Sequence, residues 1–384
     1  MSVDQIRSFW QNPDLIEDLV SQFYTSENAN ARQSSQSTLD ALKSFKDAFH
    51  YAPSLMDEFR NHYSVYFGIL VFQELITKQW EAIDHETKIQ VREFLINRLV
   101  KPKTTTLPSF CTNTLIKTIV EIAKRDHTTW TSFFDDVLAL ESTLALLVLK
   151  ISCEEFVSTK ENIPAHLKMS AQVFLERNLP NIFDFCLLFL SSSLVVDAST
   201  PITPISSPLT VDSLPDSIRT NTHQCALALE ICHSLFGWLP FHLVTPHFID
   251  TLLQLSSPHN YVSILSLGCL NELLSRKYLP PDASNQFLLM VLKQSTKNFQ
   301  ILTESPPYSE DYASKLIDFL SFFLGQHMHR LDNLGQDQMV LELLQRFYTF
   351  SFSLNEPELF GASIAVWTSV VEFCHSSAPV MVQK

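Results

Sequence analysis

The chain has 384 residues, of which 46% are apolar and 18% charged, with 29 Phe and only 6 Gly. This apolar content supplies ample volume for a packed core and excludes disorder over most of the length. The formal net charge of −14 argues against direct binding of nucleic acid and of anionic membrane surfaces, because the field of the protein repels phosphates. The glycines lie too far apart to form a phosphate-binding loop.

The cysteine pattern indicates a reducing compartment. Seven cysteines are spread along apolar segments with no CxxC motif, and no Asn-x-Ser/Thr sequon occurs. The apolar runs are much shorter than the roughly 20 residues that a membrane crossing requires. We therefore predict a soluble protein of the cytosol or nucleus, without membrane insertion.

Apolar spacing predicts helices throughout, with no strands, grouped as helix pairs. In the first pair, a helix over residues 14–24 precedes one that carries Leu39, Leu42, Phe45 and Phe49 on one face. The second pair starts with an apolar helix over residues 55–80. Its partner helix begins at Asp84, a residue type that is favoured as an N-cap.

Two further pairs complete a predicted N-terminal domain over residues 1–190. Pro108 opens the third pair, whose second helix is predicted to bury a stripe at helical spacing: Trp130, Phe133, Phe134, Val137 and Leu138. The fourth pair covers residues 144–190, with Pro164 between its two helices.

Residues 191–217 are rich in Ser, Thr and Pro, and we predict a linker or loop there. It contains three Ser/Thr-Pro dipeptides that are candidate phosphorylation sites: Thr200, Thr203 and Ser207. The same dipeptides are equally typical of a linker without any regulatory role.

Helical spacing resumes over residues 218–384, the predicted second domain. It gives pairs over 219–255, 258–300 and 308–354, followed by a single helix over 358–375. With the four pairs before the linker this makes eight, the last one incomplete. A helical array needs its terminal repeat covered, so we expect the chain to be the N-terminal part of a longer protein.

A repeated segment supports an array of similar units. Residues 73–80 (QELITKQW) and 271–278 (NELLSRKY) are 198 positions apart and both end a long apolar helix. Without a linker of about 25 residues the interval corresponds to four units of roughly 43 residues, the length of a HEAT or armadillo unit. We predict an all-α, right-handed solenoid of HEAT repeats, with aromatic residues buried at the repeat corners: Trp80, Trp130, Trp238 and Tyr278.

Catalytic and metal sites are not indicated. Gly361–Ala365 resembles a nucleophile elbow but lacks its last glycine and the preceding strand, and His85-Glu86 lacks the second histidine of a zinc protease helix. The densest group of metal-ligand types is explained by packing of a helix and its corner: Cys225, Cys232, His233, His242 and His247. No enzyme, cofactor or metal is therefore predicted.

The second helices of the second and third pairs carry candidate binding residues. Gln90, Glu93 and Asn97 lie opposite the apolar face of Val91, Leu95 and Leu99, and Asp135 and Asp136 are expected to point away from the Trp130 stripe. One helix layer of a curved array lines its concave surface, where an acidic row could contact a partner. The alternative for each residue is simple solvation.

These segments resemble a known family. Residues 63–80 and 94–99 are similar to the second HEAT repeat of the importin-beta superfamily, and residues 126–134 resemble the third repeat of its exportin branch. Residues 225–240, 268–280 and 312–330 resemble one exportin subgroup, which also has a Ser/Thr-Pro-rich insert. The members of this family are considerably longer than this chain.

The resemblance implies a nuclear export receptor that shuttles between nucleus and cytoplasm. It implies binding of Ran-GTP, of a protein cargo that in this subgroup is actin with profilin, and of nuclear pore proteins. Ran and cargo would bind cooperatively. The candidate Ran contacts are Gln90, Glu93, Asn97, Asp135 and Asp136. An importin-type import receptor and a HEAT scaffold outside transport remain alternatives.

Overall fold

The computed structural model describes residues 1–57, 60–100, 107–157, 164–197, 216–237, 239, 243–258, 260–276, 281–305 and 308–381. Within these ranges all regular structure is helical, which confirms the predicted all-α fold. The α-helices, in chain order, are α1 Val3–Trp10, α2 Pro13–Thr25, α3 Ala29–Lys43, α4 Ala48–Tyr51, α5 His62–Lys78, α6 His85–Val100, α7 Ser109–Asp126, α8 Phe133–Leu138, α9 Ser142–Val157, α10 Ala165–Asp197, α11 Asp216–Phe236, α12 Pro246–Leu255, α13 Ser263–Leu274, α14 Pro281–Glu304, α15 Glu310–Asn333, α16 Asp337–Ser353 and α17 Pro357–Met381.

The chain divides into two compact units. The first contains residues 1–141 and 151–175, and the second contains residues 142–150 and 176–384. In the first unit, α5 packs against α2 and against α7. In the second unit, α11, α13, α15 and α17 pack side by side, as do α12, α14 and α16. Corresponding helices of successive pairs therefore stack on each other, as in a helical repeat protein.

Helix α5 is the centre of the first unit because it is apolar on nearly all sides. Val65, Phe72 and Ile76 are buried on it. Gly68 allows a close approach to the preceding 3-10 helix, Ala52–Met56, since an added Cβ would lie 2.7 Å from the Met56 Cγ atom. The glycine thus serves packing rather than a turn.

Helix α7 carries a cluster of ion pairs. Lys124 is only 5% exposed, and its Nζ atom lies 3.6 Å from a Glu121 carboxylate oxygen and 3.8 Å from one of Glu155 on α9. Glu155 also pairs with Lys117 at 2.7 Å, and Glu121 with Arg125 at 2.9 Å. The buried ammonium is therefore compensated by two carboxylates, as burial of a charge requires.

In the second unit, the end of α12 is tied to α14 and α15 by hydrogen bonds. The Tyr312 hydroxyl donates to the Ser256 carbonyl oxygen over 2.7 Å, and the Asn298 amide donates to the same oxygen over 3.2 Å. Tyr312 is almost fully buried, and this burial raises the pKa of its hydroxyl. These bonds satisfy a carbonyl at a helix end that would otherwise lack a partner.

The structure divides two of the predicted helices. Helix α3 ends at Lys43, so that Phe45 lies beyond it and Phe49 belongs to the separate helix α4, although Leu39 and Leu42 are buried as predicted. The apolar stretch that begins at Leu55 is likewise not one helix. It is divided into the 3-10 helix and α5, because the Asn61 side chain caps the start of α5 by accepting from the Tyr63 amide.

The predicted linker is shorter than residues 191–217. Helix α10 continues through residue 197 and α11 starts at residue 216, so the linker prediction fails for seven residues at one end and two at the other, which are helical. Serines at 191–193 are compatible with a helix, and the proline-rich composition begins only after Asp197. Residues 198–215, with Thr200, Thr203 and Ser207, lie outside the described residues.

Two of the predicted corner residues can be located. Trp80 is 1% and Trp130 4% exposed, whereas Trp238 and Tyr278 lie outside the described residues. Within the described ranges, none of the helices combines the length and the apolarity needed to cross a membrane.

Candidate partner interface

The start of α6 is fixed by an N-cap at Asp84, as predicted. Its carboxylate accepts hydrogen bonds from the Thr87 amide over 2.9 Å and from the Thr87 hydroxyl over 2.7 Å. The hydrogen bond from the Thr87 amide, and after it the one from the Thr87 hydroxyl, lower the pKa of Asp84 from its ordinary value. The cap therefore remains ionised at neutral pH. An anionic cap also interacts favourably with the helix dipole.

Helix α6 has one buried and one exposed face. Val91, Leu95 and Leu99 are buried, while the predicted contact residues face solvent: Gln90, Glu93 and Asn97. None of these three side chains has a hydrogen bond or ion pair with another described residue. They are therefore available to a partner.

The basic side chains of α6 are occupied within the protein. The Lys88 Nζ atom lies 3.8 Å from an Asp126 carboxylate oxygen and 5.4 Å from the Trp80 ring centroid. Arg98 is nearly buried, and its Nε atom donates to the Met56 carbonyl oxygen over 2.7 Å. Lys88 and Arg98 therefore point away from the exposed face of α6 that carries Glu93.

Trp130 connects α6 with α8. The guanidinium carbon of Arg92 lies 4.8 Å from the Trp130 ring centroid, and Phe133 meets the ring edge-on with centroids 4.9 Å apart. The indole N–H donates to an Asp136 carboxylate oxygen over 2.8 Å, and the Ser132 hydroxyl donates to the same oxygen over 3.0 Å. Arg92 and Asp136 thus approach one tryptophan from two different helices.

The expectation that Asp136 points away from the Trp130 stripe is therefore wrong. Trp130 lies in a turn before α8, which begins only at Phe133, so its position does not follow the helical spacing that the sequence suggested. The turn lets the indole N–H reach a carboxylate six residues later. Asp135 does face solvent, and its side chain has no bond to another described residue.

An exposed row of aromatic side chains crosses the first helices of the first unit. The Tyr24 and Tyr63 rings stack with centroids 4.4 Å apart, and Phe110 lies 6.1 Å beyond Tyr63 and 5.4 Å from Tyr66. Tyr24, Tyr63 and Phe110 are each about two-fifths exposed. Partial burial raises the pKa of Tyr24. The row could not be predicted from the sequence because its members come from three helices.

The residues considered for catalysis or metal binding occupy ordinary structural positions. Ser363 is 1% exposed inside α17, and its hydroxyl donates to the Phe360 carbonyl oxygen over 2.7 Å. Cys225 and Cys232 are fully buried, and His242 lies outside the described residues. In the described part of the chain, no three His, Cys, Asp or Glu side chains are grouped as metal ligands.

Comparison with known proteins agrees with this architecture. The importin-beta N-terminal domain family matches residues 35–101, which contain the whole of α5 and α6. Exportin-6-A of Xenopus laevis is 24% identical over 93% of this chain. Human exportin-6 is 24% identical over 94%, and exportin-1 of Schizosaccharomyces pombe is 21% identical over 93%.

The chain is thus similar to exportins along nearly its whole length, and its N-terminal part matches the importin-beta family model. It spans 38% of the length of the Xenopus exportin and 37% of the human one. A karyopherin chain from a solved structure of Kap95p with RanGDP superposes with a TM-score of 0.52, covering 96% of this chain and 47% of that one at 14% identity. This superposition shows that the HEAT-type fold is shared.

Proposed function

We propose that this exportin homologue is a nuclear export receptor that binds Ran-GTP and a protein cargo cooperatively and shuttles between nucleus and cytoplasm. The observation that supports it most is the similarity to exportins along 93–94% of the chain. The proposed cargo is actin with profilin, as the resemblance to exportin-6 implies. Passage of the receptor through the nuclear pore would involve nuclear pore proteins. Because the chain spans little more than a third of those relatives, these activities are proposals for it.

We further propose that Ran-GTP contacts the exposed face formed by α6 and α8. Gln90, Glu93, Asn97 and Asp135 are solvent-exposed there. Lys88 and Arg98 are directed inward and do not neutralise the exposed carboxylates of Glu93 and Asp135, which favours a basic patch on the partner. Asp136 acts differently, since it holds the Trp130 indole and so fixes the position of α8 relative to Arg92.

The test is titration of Ran-GTP against single charge reversals. Glu93→Lys and Asp135→Lys should each weaken binding by ~1–2 kcal/mol, mostly through slower association and with a smaller salt dependence. Glu176→Lys, on an exposed position of α10, is the matched control and should leave the affinity unchanged. Measurement at ~50 mM and ~200 mM salt separates long-range electrostatic attraction from direct contact between the two proteins. Salt screens the long-range attraction because it shortens the range of the electric field.

Asp136 needs its own variant because reversing its charge would also disturb Trp130. Asp136→Asn keeps an oxygen that accepts from the indole while it removes the charge. If Asp136 only positions Trp130, this variant should bind Ran-GTP almost as the parent chain does. Unaltered affinity for both lysine variants would remove this face from the interface.

An importin-type receptor is the second candidate, favoured by the superposition on a structure that concerns nuclear import complex assembly. The two mechanisms differ in the sign of the coupling between ligands. Ran-GTP strengthens cargo binding by an export receptor and weakens it for an import receptor. Actin–profilin binding measured with and without Ran-GTP separates them, and failure of Ran-GTP to bind would favour a scaffold outside transport.

A further inference from the structure

One arginine of α6, Arg92, is held in place although its N–H groups have no acceptor in the chain. Its guanidinium carbon lies over the Trp130 ring, 4.8 Å from the centroid, and the side chain is partly exposed. Lys88 and Arg98, the other Lys and Arg residues of α6, have a carboxylate and a carbonyl partner inside the protein. Arg92 has no hydrogen bond or ion pair with another described residue. Its N–H groups are therefore available to water or to a partner.

The aromatic ring that supports Arg92 is itself fixed. Trp130 is 4% exposed, its indole N–H donates to an Asp136 carboxylate oxygen over 2.8 Å, and Phe133 meets its ring edge-on. A cation over the face of a tryptophan ring is attracted to that ring. Trp130 thus restricts the rotamers of Arg92 before any partner binds, which reduces the entropy lost when the guanidinium forms new bonds.

The charges around Arg92 determine which acidic group fits it. A guanidinium binds a carboxylate or a phosphate, because two parallel N–H groups match two oxygens of one acid. Glu93 follows Arg92 in α6, and Asp135 precedes the aspartate that holds Trp130, and both are exposed. These carboxylates and the net charge of −14 repel a phosphate more strongly than a singly charged carboxylate. A carboxylate is therefore the favoured ligand.

We infer that Arg92 is a specificity-determining residue of the proposed Ran-GTP interface, where it pairs with one carboxylate of Ran that lies within a basic patch, an inference that rests on the proposed function. The basic neighbours of that carboxylate pair with Glu93 and Asp135, so the repulsion by these two residues is offset. A basic protein without a carboxylate at this place would instead bring positive charge against Arg92. Arg92 thus rejects partners that Glu93 and Asp135 alone would accept.

The sign of the change in affinity separates this role from mere packing. Arg92→Met removes the charge, and the methionine still covers the Trp130 ring. Loss of a pair with a carboxylate should weaken Ran-GTP binding about 10-fold. If Arg92 only covers Trp130, removal of a positive charge opposite a basic patch should leave the affinity unchanged or raise it. Arg177→Met removes an exposed charge from α10 and, as the matched control, should have no effect.

Two further measurements show whether the effect is direct. Arg92→Lys keeps a cation over the ring but loses the two parallel N–H groups, and it should weaken binding by less than Arg92→Met does. Hydrogen exchange in α8 should be the same in Arg92→Met as in the parent chain, because the ring stays covered. A loss of affinity that is accompanied by faster exchange in α8 would mean that Arg92 acts through Trp130, and would overturn the direct contact.

A double-mutant cycle identifies the carboxylate of the partner. Single Asp→Asn and Glu→Gln variants of the exposed acids of Ran-GTP are titrated against the parent chain and against Arg92→Met. For one acid, the combined loss of affinity should fall short of additivity by at least ~3-fold. The absence of any coupled acid, or an Arg92→Met affinity equal to or above that of the parent, overturns the role of Arg92 even where Glu93→Lys weakens binding and the proposed function holds. A parent chain that does not bind Ran-GTP overturns both.

Discussion

Replacement of Trp130 by Ala should open the joint between α6 and α8. The indole is 4% exposed, and Trp→Ala changes at buried positions cost about 3–5 kcal/mol, mostly as lost apolar burial and the remaining cavity. The edge-on contact with Phe133 accounts for ~0.5–1.5 kcal/mol of this, and the contact with the half-exposed Arg92 for ~0.5–1 kcal/mol. Loss of the hydrogen bond to Asp136 adds little to the free-energy cost, because water can hydrogen-bond to that exposed carboxylate instead.

Hydrogen exchange read by mass spectrometry is the appropriate assay, because a repeat array does not unfold in two states. Exchange in α8 and α6 should accelerate by ~10²-fold or more, with little change in α14 or α15, since coupling is mainly between neighbours. Trp130→Phe fills most of the cavity and should cost only ~1–2 kcal/mol. Equal acceleration along the whole chain, or none near α8, would refute this account of the joint.

Two further predictions concern the helices that flank this joint. Gly68→Ala should destabilise the packing of α5 by ~1–2 kcal/mol, because its Cβ would lie 2.7 Å from Met56 Cγ. Hydrogen exchange in α5 and in Ala52–Met56 measures this, and the added Cβ should cost less when Met56→Ala removes the Cγ atom. The lowered pKa of Asp84 means that its cap contributes stability above the ordinary pKa of 3.8 and loses it as the pH falls through the lowered value. Amide exchange at Thr87 should therefore accelerate below about pH 4, whereas Asp84→Asn, which still caps, should show no such step.

Periodicity predicted the helices well because their buried faces are long and regular. The exposed positions on α6 follow directly from the buried Val91 and Leu95, since a helix fixes the direction of each side chain. The Asp84 cap was also predictable, because its chemistry is local. In each case the information lies within about one turn of the residue concerned.

Contacts between elements could not be predicted in this way. The Asp136 bond to Trp130 depends on a turn whose path apolar spacing does not encode. The row of Tyr24, Tyr63 and Phe110 depends on three helices that lie far apart in the chain. The predicted linker boundary was wrong at residue 191 because composition changes gradually, whereas a helix can continue into polar residues.

The ion pairs of Lys124 restrict how the first unit can deform. If α7 moved by one helical turn, about 5.4 Å, relative to the end of α9, the ammonium would leave the carboxylate of Glu155. The ammonium would keep Glu121 on its own helix but lose one of the two carboxylates that compensate its burial. Translation along the helix axes is therefore disfavoured, whereas small rotations around the Lys124–Glu155 contact keep both carboxylates close to the ammonium.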